Sequence, residues 1–540
     1  MSRRTTWILA GAAAAVAVAL AAAGVFGVGS ALQAAAPSPP ELSIVPKPVE
    51  VLGVRGEPFR LERDSRIVLD ADPAVAGTTA ERLAELLRPA TGFGLPIVRG
   101  SAEAGDITLA LADGEAPEGH AEEGYVVRSE ETGVRIAAET PAGLANGVQT
   151  FRQLLPPAVS GGSAPADPVE IVAVEIRDHP RYGYRSAMLD VARHFFTVEE
   201  VERFIDEIAM LKINTLHLHL ANDQGWRIEI ASWPLLAEVG GITEVGGGPG
   251  GYYTQEQFRG LVAYAAERNV TIVPEANMPG HAHAALTAYP ELSCDGIARQ
   301  AHTGPAGGAS SLCPTSAVAE VMAADVIREL AALAPGPYLH LGGDEVSGYT
   351  EDEYAYFMEL TAAVAADEGK TVIGWHDIGI SEGLPIGTVG QYWGPLQPDE
   401  TDSRIDTLLD RAGAIVMSPP EAAYIDQVYP DDDRLGLDWA GPTSVADSYD
   451  WDPADVVEGV GDDQILGIEG PLWTETAATV EDVEFLAFPR LAALAEIAWS
   501  PAPTHDTPRS FDEFGPRLVT FLAHFDAFGV EYHRSGDLPW

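Results

Sequence analysis

Eight short apolar runs between residues 185 and 473 constrain the fold of this chain more than any other feature. They are RSAMLDVAR (185–193), NTLHLHL (214–220), TIVPEANM (271–278), YLHLGGDE (338–345), TVIGWHD (371–377), TVGQYWG (388–394), AIVMSP (414–419) and ILGIEGPLW (465–473). Each closes on polar or aromatic residues, and helical patterns lie between several of them. Two of these helices open with a capping signature, T-x-x-E at Thr197 and T-x-x-Q at Thr254, in which paired side chains satisfy the first free backbone N–H groups. Eight strands alternating with helices indicate an α/β fold, a (β/α)8 TIM barrel catalytic domain over residues 180–540. In that architecture chemistry gathers where strands end and loops begin.

Residues 41–177 read as a small α+β N-terminal domain. RIVLD, DITLAL, GYVVRS and GVRIAAET are short strands separated by turn residues. AVAGTTAERLAELLRPATG and AGLANGVQTFRQLLPPA carry leucines at helical period and end in proline or glycine. No cluster of acids, histidines or cysteines stands out here, so the unit reads as non-catalytic. Residues 1–36 are not part of the fold: MSRR is followed by a long uncharged run, then by small residues and the proline-rich APSPPE. That order marks a signal peptide or an N-terminal anchor and places the protein outside the cytoplasm, secreted or membrane-anchored.

The chain carries 81 acidic against 32 basic residues, a formal charge of −49. Such a surface repels nucleic acid and anionic lipid, which excludes both as partners. The only two cysteines are Cys294 and Cys313. In an exported chain an isolated pair is expected to form a disulfide, here closing the loop DGIARQAHTGPAGGASSL. A zinc site would need further ligands at suitable spacing, and none is found.

The strand ends collect Arg193, Asn222, Asp223, Glu275, His281, Asp344, Glu345, Trp375, Trp393, Tyr424, Asp426, Trp473 and Glu475 into one mouth. Aromatic walls with acids and one arginine suit a neutral polyhydroxylated ring. Within YLHLGGDE, Asp344 and Glu345 are adjacent. Neighbours on a regular strand point to opposite faces, but the two preceding glycines let the backbone turn, so both acids can face the mouth. Cleavage of a glycosidic bond needs an acid held protonated near neutral pH, which burial and a neighbouring carboxylate both promote. The common retaining design places a second carboxylate across the ring as nucleophile, about 5 Å from the acid. Adjacent residues approach from one side, so Asp344 and Glu345 make a poor acid and nucleophile pair.

HLGGDEV resembles the signature of the family 20 glycoside hydrolases, the β-N-acetylhexosaminidases. LDVARHF, LHLHLANDQGWRIEI, GGGPGGYYT, MPGHAHAAL, AAYIDQVY and EGPLWTET are similar to the family's other blocks, in its order, and IVPKPV with GLANGVQTFRQLL resembles its preceding non-catalytic domain. The resemblance implies an exo-acting retaining enzyme that removes terminal GlcNAc or GalNAc by substrate-assisted catalysis, without a cofactor. The 2-acetamido carbonyl oxygen of the substrate would attack C1 and form an oxazolinium ion. Glu345 would be the acid and then the base, Asp344 would orient the acetamido N–H, and Tyr424 would donate to its carbonyl. Trp375, Trp393 and Trp473 would cage the acetamido methyl and the sugar face. Arg193 and Glu475 would bind the 3- and 4-hydroxyls, and Asp426 the outer hydroxyls. His281 resembles the histidine that supports the acid through an aspartate, a position held here by Asn222, with Asp223 beside it. Asn277 likewise stands where the family commonly has aspartate. Both departures point to altered pH dependence rather than loss of activity.

Two other classes deserve comparison. A metal-dependent barrel hydrolase could use His217 and His219, but no later strand end supplies the further His and Asp such a site needs, so both read as core histidines and no metal is expected. A carbohydrate-binding protein without activity would be expected to lack the acid, and Asp344 and Glu345 are both present. A disaccharide-releasing specificity depends on loop depth, which the residues alone leave open. No protein partner is evident.

Overall fold

Parallel pairing between successive strands closes the eight apolar runs into one barrel. The computed structural model describes residues 37–164, 168–307, 310–398 and 402–540; the expected signal peptide or anchor lies outside the described residues. The barrel strands are Tyr184–Asp190, Thr215–His219, Thr271–Glu275, Tyr338–His340, Thr371–Trp375, Val389–Tyr392, Ala414–Met417 and Ile465–Leu472. Each pairs in parallel with the next, and the last pairs with the first. The expected (β/α)8 fold is therefore present. Most strands are shorter than the runs that announced them, because the final residues of those runs leave the ladder to build the mouth.

Both expected capping boxes form, opening helices Val198–Met210 and Gln255–Ala266, and a third at Thr350 opens Glu351–Asp367. Phe204, Ile208, Leu261 and Met358, on the buried faces of these helices, pack into the core that wraps the barrel. Inside the barrel the lower layer is apolar, with Val273, Ile373, Val389 and Val416 around Tyr184. The next layer is polar: the register sets His219 beside Glu275, and Glu275 beside His340. Buried groups of this kind must find their partners within the protein.

Before the barrel, seven strands between Glu50 and Asp178 form one mixed sheet. The helices Pro73–Thr91 and Pro141–Gln153 cover it, capped by the side chains of Asp72 and Thr140. Ala80, Leu83, Leu87, Leu144 and Phe151 of these helices meet Ile107, Leu109 and Ile136 of the sheet. Trp499 from the barrel joins the same core. Among the described residues no helix is long and apolar enough to cross a membrane.

The junction between sheet and barrel holds a buried charge. Asp178, at the end of its strand, accepts from Trp499 Nε1 at 3.0 Å, from the Val49 N–H at 3.0 Å and from the Tyr125 hydroxyl. Lys212 Nζ lies 3.8 Å from Asp178 Oδ2 and 4.7 Å from the centroid of the Trp499 ring. Burial pulls the Lys212 ammonium down to about 8, and the opposing pull of Asp178 keeps it from falling further. Removing one partner of a buried pair strands the other, at a cost of about 3–5 kcal/mol. Asp178→Asn is therefore expected to destabilise the protein by about 3 kcal/mol at pH 6–7. Once Lys212 has lost its proton it no longer needs the carboxylate, so the deficit shrinks as pH rises through about 8. Thermal denaturation of both proteins across pH 6–9.5 measures the effect.

Candidate active site

The fourth strand ends at His340, and the chain turns at once through Gly342 and Gly343, with φ of 71° and 95°. A Cβ on Gly342 would come within 2.0 Å of Asn277 Oδ1, so the turn admits only glycine there. Glu345 follows with φ 49°, and His281 across from it has φ 48°. The left-handed region costs an L-residue about 1–2 kcal/mol, so the surrounding structure holds both in place. The turn lets Asp344 and Glu345 face the same cavity, of about 470 Å³, at the C-terminal end of the barrel.

Asp344 is buried, whereas the Glu345 side chain is 52% exposed. The expected burial of the acid thus falls on its neighbour, because Glu345 sits on the rim where a sugar would cover it. His281 Nε2 stands 3.4 Å from one oxygen of each acid, the length of an ion pair rather than a short hydrogen bond. Burial opposes charge on His281, but Asp344 above all, and Glu345, push it up to about 10. Burial likewise opposes charge on Asp344, and His281 together with the Asn277 amide outweighs it, holding the carboxyl below its usual value. Both shifts describe one imidazolium–carboxylate pair.

Tryptophans wall the cavity. Trp375 and Trp473 have ring centroids 5.7 Å apart. Trp393 donates from Nε1 to Asp377 at 2.8 Å, and Arg404 grips Asp377 at 2.5 Å. Arg193 lies 4.6 Å from the centroid of the Trp473 ring, between Asp190 at 3.4 Å and Glu475 at 3.5 Å. Tyr424 lines the cavity too, and burial, with Asp426 and Asp344 nearby, pushes its phenol well above the usual range, so it stays a donor. Asp426 is fully buried, and its Oδ1 has no hydrogen-bond partner among the described residues. Burial, and then the charge of Glu475, raise its carboxyl well above the ordinary value.

A chain of buried side chains runs beneath this surface. Asn222 Oδ1 accepts from His281 Nδ1 at 3.1 Å and from the Asp223 N–H at 2.7 Å. Its Nδ2 donates to His219 Nε2 at 2.8 Å, and His219 Nδ1 in turn donates to Glu275. His217 bridges Glu275 at 3.0 Å and Glu469 at 2.8 Å. Burial opposes its charge, but these two carboxylates push it up to about 10. Glu275 also accepts from Trp375 Nε1 at 3.3 Å, and His219 stands edge-on to Trp473 at 4.9 Å. Asp223 holds a different piece, accepting from the His283 N–H at 3.0 Å and from Ser310.

Arg193, His281, Asp344, Glu345, Trp375, Trp393, Tyr424, Trp473 and Glu475 are thus brought around one cavity. Asn222, Asp223 and Asp426 lie behind its lining. Glu275 is corrected: it was expected at the mouth, but as the last residue of its strand it points inward and is wholly buried. His217 and His219 are core histidines. His217, Glu275 and His340 offer ligand atoms within 4.8 Å of one another, a metal-sized grouping. However, the Glu275 oxygens already serve His217, His219 and Trp375, and His340 Nδ1 accepts the Gly342 N–H. Sequence reasoning missed Trp439, which is half-exposed at the rim and edge-on to Tyr424 at 5.6 Å. It also missed Pro305, Ala306 and Gly307, which supply another part of the lining. Trp439 follows no strand, so position along the chain carried no signal for it.

Aromatic faces beside hydrogen-bonding acids, with a half-exposed carboxylate at the rim, are the furnishings of a hydrolase for a neutral sugar. The comparisons agree. Glycosyl hydrolase family 20, catalytic domain, matches residues 182–502, and glycosyl hydrolase family 20, domain 2, matches residues 41–179. A β-N-acetylhexosaminidase of Cellulomonas fimi is 36% identical over 510 residues, covering 93% of this chain and 98% of that protein. The GH20 β-N-acetylhexosaminidase structure from Streptomyces coelicolor A3(2) superposes with a TM-score of 0.86 at 44% identity, covering 93% of this chain and 99% of that one. A mutant Streptomyces plicatus β-hexosaminidase in complex with product GlcNAc gives 0.86 at 44% identity, over 94% and 99%. The chain belongs to glycosyl hydrolase family 20, the family of these β-N-acetylhexosaminidases, and is a glycoside hydrolase.

Cys294 and Cys313 are bonded, closing a loop between residues 19 apart in sequence. Gln224 pins the same loop, its Nε2 donating to the carbonyls of Gly304, Pro305 and Ala306 at 2.9–3.3 Å. Replacing both cysteines with serine is expected to cost about 3 kcal/mol of stability, the cost of freeing a loop of this size. It should also raise KM, because Pro305–Gly307 line the cavity, and lower kcat, because Gly307 packs against Asp223, Asn222 and His281. Thermal denaturation and steady-state kinetics on the double variant test both.

Proposed function

We propose that the enzyme is an exo-acting, retaining β-N-acetylhexosaminidase that removes terminal non-reducing GlcNAc or GalNAc by substrate-assisted catalysis. The observation that carries this reading is that Asp344 and Glu345 leave one strand end and share one imidazolium. Both reach a bound ring from the same side, and the other lining carboxylate, Glu475, is occupied by Arg193. The nucleophile is then the acetamido carbonyl oxygen of the substrate. Asp344, held ionised, accepts the acetamido N–H and faces the positive charge that develops as the oxygen attacks C1. Tyr424 donates to that oxygen. Glu345 gives its proton to the leaving oxygen, and an oxazolinium ion forms. Glu345 then takes a proton from the water that opens it, and two displacements at C1 restore the original configuration. Trp375, Trp393 and Trp473 enclose the acetamido methyl and the ring face, and Arg193, Glu475 and Asp426 hold the outer hydroxyls. Its N-terminal sequence and its disulfide support an extracytoplasmic setting.

Aryl β-glycosides of GlcNAc, GalNAc and glucose give the direct test. Cleavage of the two acetamido sugars alone is expected; equal cleavage of the glucoside would sink the mechanism, since glucose carries no internal nucleophile. Glu345→Gln is expected to lower kcat on a disaccharide by about 10²–10⁴-fold, the usual contribution of a general acid. Asn222→Leu removes the acceptor for the charged His281 at little change in volume. Hydrogen bonds to charged groups contribute about 1.5–3 kcal/mol, so kcat/KM should fall by about tenfold or more. Calorimetry on both variants separates these effects from loss of folding.

A further inference from the structure

The side chain that touches Asp344 from below is an amide, and its orientation is settled by the backbone. The Gly343 N–H donates to one terminal atom of Asn277 at 3.1 Å. A backbone N–H has no lone pair, so that atom is the oxygen. The other terminal atom is therefore the NH2 group, and it lies 2.7 Å from Asp344 Oδ1. An amide NH2 donates and does not accept, so this oxygen of Asp344 must keep its lone pair. Both residues are buried, with Asp344 also lining the cavity.

We propose that Asn277 is a positioning residue that locks Asp344 in its ionised form, so that the carboxylate facing the acetamido group can neither share nor store a proton at Oδ1. Its catalytic consequence rests on the substrate-assisted reading above, in which Asp344 works only as an acceptor. His281 contributes most to keeping Asp344 ionised, but among the described residues none of the remaining charged neighbours hydrogen-bonds to Oδ1. His281 contacts the other oxygen of Asp344, at 3.4 Å, and Glu345 is its chain neighbour. Glu275 lies beneath and acts against ionisation. Arg193, Tyr424 and Tyr354 feel the charge of Asp344 without a hydrogen bond to it. His281 is itself faced by Asn222 at 3.1 Å and Asp223 at 3.8 Å, and by the charge of Arg193.

Asn277→Asp separates a lock from a strut. It keeps the oxygen that accepts the Gly343 N–H and exchanges only the donor for a second carboxylate oxygen. Two carboxylates in such contact cannot both ionise readily, so the pair retains a proton above the usual carboxylate range. A group whose folded pKa is raised stabilises below its unfolded pKa and loses that contribution as pH rises through the folded value. The Tm of Asn277→Asp relative to the parent should therefore fall progressively between pH 5 and pH 8. The acid limb of kcat/KM on an acetamido glycoside should move up by about one pH unit, because the shared proton now spends part of its time on Asp344.

A Tm difference that stays flat across this range overturns the lock, and a sloping difference with an unmoved acid limb overturns its part in catalysis. The Tm slope needs no turnover, so it reports on the lock even if the glucoside control removes the substrate-assisted mechanism. The exchange variant Asn277→Asp/Asp344→Asn restores one donor and one acceptor. Read against Asp344→Asn alone, so that the loss of the main partner of His281 cancels, a flat Tm difference between pH 5 and pH 8 supports the lock, including where Asn277→Asp alone does not fold, and a slope there overturns it.

Discussion

The carboxylate of Glu275 is the group on which the rest of the site depends. It is wholly buried, and an anion inside a barrel is costly unless it is paired and fully hydrogen-bonded. His217 supplies the opposite charge, and it is shared with Glu469 on the far side. The two oxygens of Glu275 then serve as anchors in two directions. One receives the indole N–H of Trp375 and fixes that wall of the cavity. The other receives His219, which stands edge-on to Trp473 and presents a lone pair to Asn222. Through Asn222 the same chain reaches His281, and through His281 it reaches both acids.

Tautomers along this chain follow from one unambiguous donor. The Asp223 N–H identifies the oxygen of Asn222, which leaves the amide NH2 facing His219. His219 must then carry its proton on Nδ1, toward Glu275, and His281 must donate from Nδ1 to Asn222. An aspartate at position 222 would bring a second acceptor against the lone pair of His219, which would have to take up a proton. The amide at 222 and the lone pair of His219 are therefore matched to each other.

The sequence made the barrel legible because its strands are short apolar runs whose polar ends fall at one rim, and because Thr197 and Thr254 mark helix starts by local chemistry alone. The acid pair was legible for the same reason: two glycines before two carboxylates, after a short apolar run, allow a turn at the strand end that brings both acids to the mouth. What stayed hidden depends on which way a strand's last residue points. Glu275 ends its strand as Trp375 ends another, yet Glu275 faces the buried layer while Trp375 reaches the cavity, and no spacing rule separates them. The exposure of Glu345 was hidden likewise, since it follows from the left-handed backbone that the glycine turn imposes. Trp439 and Pro305–Gly307 come from loops whose course is set by tertiary contacts, the first beside Tyr424 and the second by a disulfide and Gln224.

The charge pattern of the cavity argues for the substrate's neutrality independently of any resemblance. Asp344 is ionised, and its charge is answered by His281. Glu475 is answered by Arg193, and Asp426 behind it is held toward its neutral form by burial and by Glu475. Among the described residues no cation in the lining is left to receive an anionic substituent, since Arg193 and His281 are each already shared between two acids. The protein's net charge of −49 adds a long-range field of the same sign. A ring carrying a sulfate or carboxylate would meet this field outside and unshared oxygens inside, whereas hydroxyls and an acetamido group can donate to those same oxygens. The acids and the tryptophan walls rest on the barrel core, whereas Pro305–Gly307 come from the loop that the disulfide closes.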